Sequence, residues 1–181
     1  VTEYRRSLKL NDAITSVKYK MEGHKVTQDA FLSSPDQLLI IRLRSEHPKG
    51  LNGSIQLSRP KDDGVATAKT FTKKGSLVIE GEVTQRKGAF DSKPNPISEG
   101  VQFQAIVKPN HQGGTVKTFE NEIVLEGVKE IELRIVSNSS YYHENYKSEN
   151  IKQLNRAESY SFEDLKSRHI RDHQILFNRV D

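Results

Sequence analysis

From Ile14 to Val136 the chain is built from short apolar runs, each stopped by Gly, Pro, Asn or Asp. Within most runs the apolar residues fall at every second position, the repeat of a strand that buries one face. In "ITSVKYKM" the residues Val17, Tyr19 and Met21 share a face; "EGHK" turns the chain and "VTQDAFLS" runs back. "DQLLIIRLRS" is continuously apolar before it alternates, which predicts a strand covered on both faces. "SIQLS", "SLVIEGEV", "VQFQAIVK", "TVKTFE", "IVLEG" and "EIELRIV" follow. In the last, Ile131, Leu133 and Ile135 point one way while Glu130, Glu132 and Arg134 point the other. "PNHQGG" predicts a hairpin loop, and Gly127 predicts a second antiparallel turn. About ten short strands at this spacing predict an all-β, antiparallel β-sandwich or barrel. No strand–helix alternation appears, which excludes a doubly wound sheet.

The pattern changes after Ser137, which divides the chain into three segments. Residues 1–137 read as the β-sandwich region. Residues 138–160 form a polar and aromatic connection, helical in part at "IKQLNRAE". Residues 161–181 predict a C-terminal linker helix, with Ser161 as N-cap, Asp164 closing a variant capping box and Tyr160 stapling onto Leu165. Asp164–Arg168 and Arg168–Asp172 stand at helix-supporting spacings. One face of this helix carries Phe162, Leu165, His169, His173, Leu176, Phe177 and Val180, so the helix must pack on something. The longest loop expected is Gly88 to Gly100, which holds Pro94 and Pro96; Pro60 to Gly64 reads as a turn.

Composition narrows the function classes. The chain has 181 residues and no Cys, which excludes disulfides and thiolate metal sites. The longest purely aliphatic run is Leu38 to Ile41, too short for a membrane span, and Val1 to Lys9 lacks the apolar core of a signal peptide. With no initiator Met, the chain reads as a piece of a longer protein. Net charge is +4, but acidic residues interleave with basic ones, and the densest patch, Lys69 to Lys74, holds three lysines. This is a solvated basic surface and not a nucleic-acid footprint.

The candidate chemistry is sparse. His169 and His173 are four apart, a metal-compatible spacing, but no third ligand accompanies them and no metal is expected. Asp36, Asp62, Asp63 and Asp91 sit where turns favour Asp for backbone reasons. No phosphate loop, nucleophile elbow or catalytic triad signature is present, so no cofactor and no catalytic residue are assigned. The most suggestive stretch is "SSYYHENY": Tyr141, Tyr142, His143 and Tyr146 suit stacking on a sugar ring, or packing on the sandwich edge. Glycosylation sequons occur at Asn52 and Asn138.

Five stretches, in order, resemble one family. "YRRSLKLNDAITSVKY" is similar to the Y-x-R-x-L-D-L-x-x-A-x-x-x-V-x-Y opening of the amino-terminal β domain of glycoside hydrolase family 95. "SSPDQLLIIRLRS", "GVQFQAIVKPNHQGGTV", "SNSSYYHENY" and "SFEDLKSRHIRDHQILFNRV" resemble later segments of that family, with His173 in place of the usual aromatic. The resemblance implies a supersandwich-like β domain of an inverting α-L-fucosidase, or of a relative acting on L-galactose, in the periplasm or exterior of a bacterium. It implies a partner too: the helical-barrel catalytic domain of the parent chain, which holds the catalytic groups. An oligosaccharide is a further expected partner, and a dimer through the helix or a sheet edge is a further expected assembly. The alternative is a free-standing carbohydrate-binding or protein-interaction module.

Overall fold

The computed structural model describes residues 1–61, 67–83 and 100–179. The Pro60–Gly64 turn, the Gly88–Gly100 loop and Val180 lie wholly or mostly outside these residues. The strands are β1 (Thr2–Lys9), β2 (Ile14–Met21), β3 (His24–Ser33), β4 (Leu38–Ser45), β5 (Leu51–Gln56) and β6 (Ala68–Lys73). They continue with β7 (Ser76–Glu82), β8 (Gln102–Gln112), β9 (Thr115–Thr118), β10 (Glu122–Val128) and β11 (Glu130–Ser139). Helices α1 (Tyr146–Ala157) and α2 (Phe162–Phe177) end the chain.

Eight strands form one antiparallel sheet in the order β1-β2-β3-β4-β11-β8-β7-β6, and β5-β10-β9 form a second, smaller sheet. The fold is a mostly antiparallel β-sandwich with a C-terminal helix. The central strand β4 shows how the layers arise. Its even positions, Leu38 and Ile40, join Phe31, Ile106 and Val136 beneath Leu154 and Ala157 of α1 and Phe162 and Leu165 of α2. Its odd positions, Ile41 and Leu43, face Leu51, Ile123, Leu125 and Val128 of the small sheet. The alternation of a single strand therefore feeds two cores.

Two expected hairpins are absent. β8 and β9 belong to different sheets, as do β10 and β11. The glycine-rich links between them are corners where the chain changes sheet. Gly50, Gly114 and Gly127 meet at these corners with φ of +64°, +61° and +66°. A Cβ on Gly50 or on Gly114 would lie 2.4 Å from the carbonyl carbon of Gly127, so the corner closes only without side chains. Lys129 locks it by donating to the carbonyls of His47 and Pro48 at 2.6 Å each.

The helix-covered face of the large sheet carries charge. Glu132 and Arg134 are buried, not solvated. Arg134 donates to the carbonyls of Ala157 and Tyr160 and to Glu132. Those carbonyls lie at the end of α1 and just beyond it, where helix geometry leaves acceptors without partners. Arg42 bridges to Glu163 at 2.9 Å with its guanidinium 3.3 Å above the Phe162 ring.

Helix α2 starts with the expected capping box: Ser161 Oγ accepts from the Asp164 N–H at 3.2 Å and Asp164 accepts from the Ser161 N–H at 3.0 Å. Arg168 departs from the expected helix pairs. It reaches Asp36 at 2.9 Å, and Asp36 is buried and also accepts from Ser33, so it anchors α2 in addition to shaping its turn. The apolar stripe of α2 divides. Phe162, Leu165 and His169 are buried against the sheet, whereas Leu176 and Phe177 are 60% and 40% exposed. At the other end, every residue of the outer strand β1 is exposed.

Candidate functional site

Helix α1 lies over β8 and β11, and the sheet continues past it to β7 and β6. Its buried face is Tyr146, Asn150, Leu154 and Ala157, a helical repeat in which one member is polar. Asn150 is fully buried, and its amide donates to the Gln104 carbonyl at 3.0 Å while accepting from Asn138 at 2.8 Å. These bonds fix the helix to two strands at once and also occupy the amide of the Asn138 sequon.

The step between α1 and the β6 edge leaves a trough. Two adjoining hollows of about 600 and 640 Å³ share Glu80 and Lys147 in their walls. Glu80, on β7, accepts from Lys147 at 3.0 Å, Gln104 at 3.1 Å and Lys69 at 3.2 Å. Burial works to push this carboxyl up. The hydrogen bonds from Lys147, Gln104 and Lys69 outweigh it and hold the group below its ordinary range. The same bond to Glu80 raises Lys147. Glu80 is thus held as an ionised carboxylate.

The loop before α1 borders the trough at Gln102. Ser140 N–H donates to the Gln102 carbonyl at 2.8 Å, and Gln102 N–H donates back to Ser140 Oγ at 2.9 Å. From this anchor the loop carries Tyr141 and Tyr142 outward, 73% and 79% exposed, with their rings edge to face at 4.8 Å. His143 is exposed beside them. Tyr146 parts from the other three: it is buried, with its hydroxyl 3.1 Å from Gln102 Oε1. The four aromatics expected together are therefore three loop residues and one packing residue at the trough's end.

His169 and His173 do not converge on a metal position. His169 Nε2 lies 3.0 Å from the Asp12 carbonyl and 3.2 Å from that of Ala13, and His173 Nε2 lies 2.8 Å from that of Leu10. They clasp the β1–β2 turn within a row of rings running Phe31, His169, His173, Phe177. Among the described residues no three His, Asp or Glu side chains gather as a metal site.

Residues 1–144 match the family model described as the glycosyl hydrolase family 65 N-terminal domain. The chain belongs to this family. The motifs that resembled family 95 and the matching family 65 model agree on the amino-terminal β domain of a glycoside hydrolase. Over 98% of its length this family 65-type domain is 22% identical to alpha-L-fucosidase 2 of Arabidopsis thaliana, and it spans 23% of that protein. A putative kojibiose phosphorylase from the human microbiome shares the fold, with a TM-score of 0.58 over 97% of this chain and 23% of its own, at 12% identity.

Sequence reasoning missed Glu80, Lys147, Gln104 and Asn150. Glu80 and Glu82 share the strand parity of Val78, a usable signal that this face turns polar toward the strand's end. Nothing local to "SLVIEGEV" indicates that a helix from the end of the chain stands beside it.

Proposed function

We propose that this domain is the non-catalytic amino-terminal part of an enzyme that hydrolyses terminal α-L-fucosyl linkages. The observation that carries the reading is the alignment of nearly the whole chain with an alpha-L-fucosidase. Inverting hydrolysis needs a protonated carboxylic acid at the leaving oxygen, opposite a group that activates water. Among the described residues every carboxyl displaced from its ordinary range, Glu80, Glu126, Glu149, Glu158 and Asp164, is displaced downward. None of these five is poised as the acid. In this reading the catalytic groups belong to a helical-barrel domain of the same protein, and the exposed end of α2 faces it.

The test is the product of the longer protein that contains this domain. Hydrolysis of an α-L-fucoside with inversion releases β-L-fucose first, visible by proton NMR before mutarotation. Inactivity on fucosides together with phosphate-dependent turnover of kojibiose would overturn the fucosyl assignment.

A second reading rests on the two exposed tyrosines. Exposed rings on one loop suit stacking on a sugar, so the loop of Tyr141, Tyr142 and His143 would contribute to carbohydrate contact. Tyr141→Ala and Tyr142→Ala should then weaken sugar affinity, read by calorimetry. Unchanged affinity leaves the domain with a packing role alone.

A further inference from the structure

We infer that the trough beside α1 is a binding site for an anionic oligosaccharide, one carrying carboxylate or sulfate groups. This inference stands apart from the fucosyl assignment, because its test reads binding by the β domain and not turnover of a fucoside.

Three observations carry it. The first is charge. Lys73, Lys74, Lys108 and Lys147 line the larger hollow, against one carboxylate, Glu80, which Lys147 and Lys69 already neutralise. Lys108 pairs with Glu158, but Lys73 and Lys74 have no ion-pair partner among the described residues. The second is the placement of Lys74. It occupies the tight turn between β6 and β7 at φ +50°, followed by Gly75 at φ +75°. A turn with both central residues left-handed favours Asn or Asp before Gly. A lysine there meets no local demand of the backbone; it sets a second ammonium group beside that of Lys73 at the trough's mouth.

The third is the mixed lining. Phe71 and the half-exposed Ile151 offer apolar surface, while Asn155 and Gln102 offer amides along the walls. Sugar rings present just this pair of surfaces, C–H faces for the apolar side chains and hydroxyls for the amides, and the lysines then select for anionic substituents. The trough follows α1, whose 12 residues span about 18 Å. That length suits an oligosaccharide better than a single sugar.

The test titrates the 181-residue chain with an oligogalacturonate, a sulfated galactan fragment and a neutral malto-oligosaccharide, followed by calorimetry at low and raised salt. At least one anionic probe should bind and the neutral one should not, with affinity falling as salt rises. K73E/K74E, exposed residues at the end of β6 and in the turn after it, should lower affinity about tenfold or more by placing like charge at the ligand. K9E/K18E makes the same change in net charge on β1 and β2 and should leave binding unchanged. The relative response of the two anionic probes tells carboxylate from sulfate recognition. No binding of either anionic probe overturns the inference, as does equal loss in both double variants. Equal binding of a polyglutamate peptide also overturns it, and would reassign the trough to an acidic protein segment.

Discussion

The two faces of the large sheet are built from the same strands and hold together by different means. On β11, Ile131, Leu133 and Ile135 face the small sheet, and Glu132 and Arg134 face the helices. Strands of the small sheet satisfy one another's backbone groups, so their contact surface asks only for apolar partners. Helices bring terminal carbonyls with acceptor capacity to spare down onto the sheet, and a buried arginine answers them. What covers a face thus decides whether charge can be buried under it. The trough is the limiting case: where the helical layer stops, the same face becomes a polar, lysine-rich channel.

Substitutions can break this contrast, and the largest effect belongs to the helical face. Arg134→Ala removes the donors to Ala157 and Tyr160 and leaves Glu132 buried without its partner. We expect a loss of about 3–5 kcal/mol in urea unfolding, with Arg134→Lys recovering little because one ammonium cannot replace the guanidinium fork. Ile131→Ala tests the apolar face and should cost about 2–5 kcal/mol through lost burial and a cavity. Its cost should be the same at pH 7 and at pH 4, since no titrating group lies in that contact, a flatness that the same unfolding curves would verify.

Ser161→Ala should cost about 1 kcal/mol by removing the cap of α2. It also removes the Ser161 hydroxyl's hydrogen bond, the leading cause that holds Asp164 below its ordinary range, and keeps the one from the backbone N–H. The smallest effect concerns Glu80. Its folded acidity lies below the ordinary value of 4.5, so its contribution is fully present above that pH. The contribution disappears as pH falls through the lower, folded value. Thermal melts of Glu80→Gln should therefore show a shallower loss of stability on acidification than the parent chain.

The alternating runs made most of the strands and the buried character of β4 legible, because a period of two survives in single side chains. The cap of α2 was legible for the same reason: Ser161 and Asp164 act within one turn. β1 and β6 were not, since "TEYRRSLK" and "AKTFTK" are outer strands of the sheet without a one-sided apolar pattern. The glycine corners read as hairpins in the sequence, because a left-handed glycine looks alike whether the chain folds back or changes sheet. Of the site, the exposed pair Tyr141 and Tyr142 could be picked out by residue type. The ionised Glu80 could not, since its partners come from β6, β8 and α1.

The proposal that this domain is non-catalytic is tested directly by turnover of a chromogenic α-L-fucoside by the purified 181-residue chain. The expected result is no release above the buffer rate at any pH. Steady release that Glu80→Gln abolishes would contradict it, and would place the chemistry in the trough.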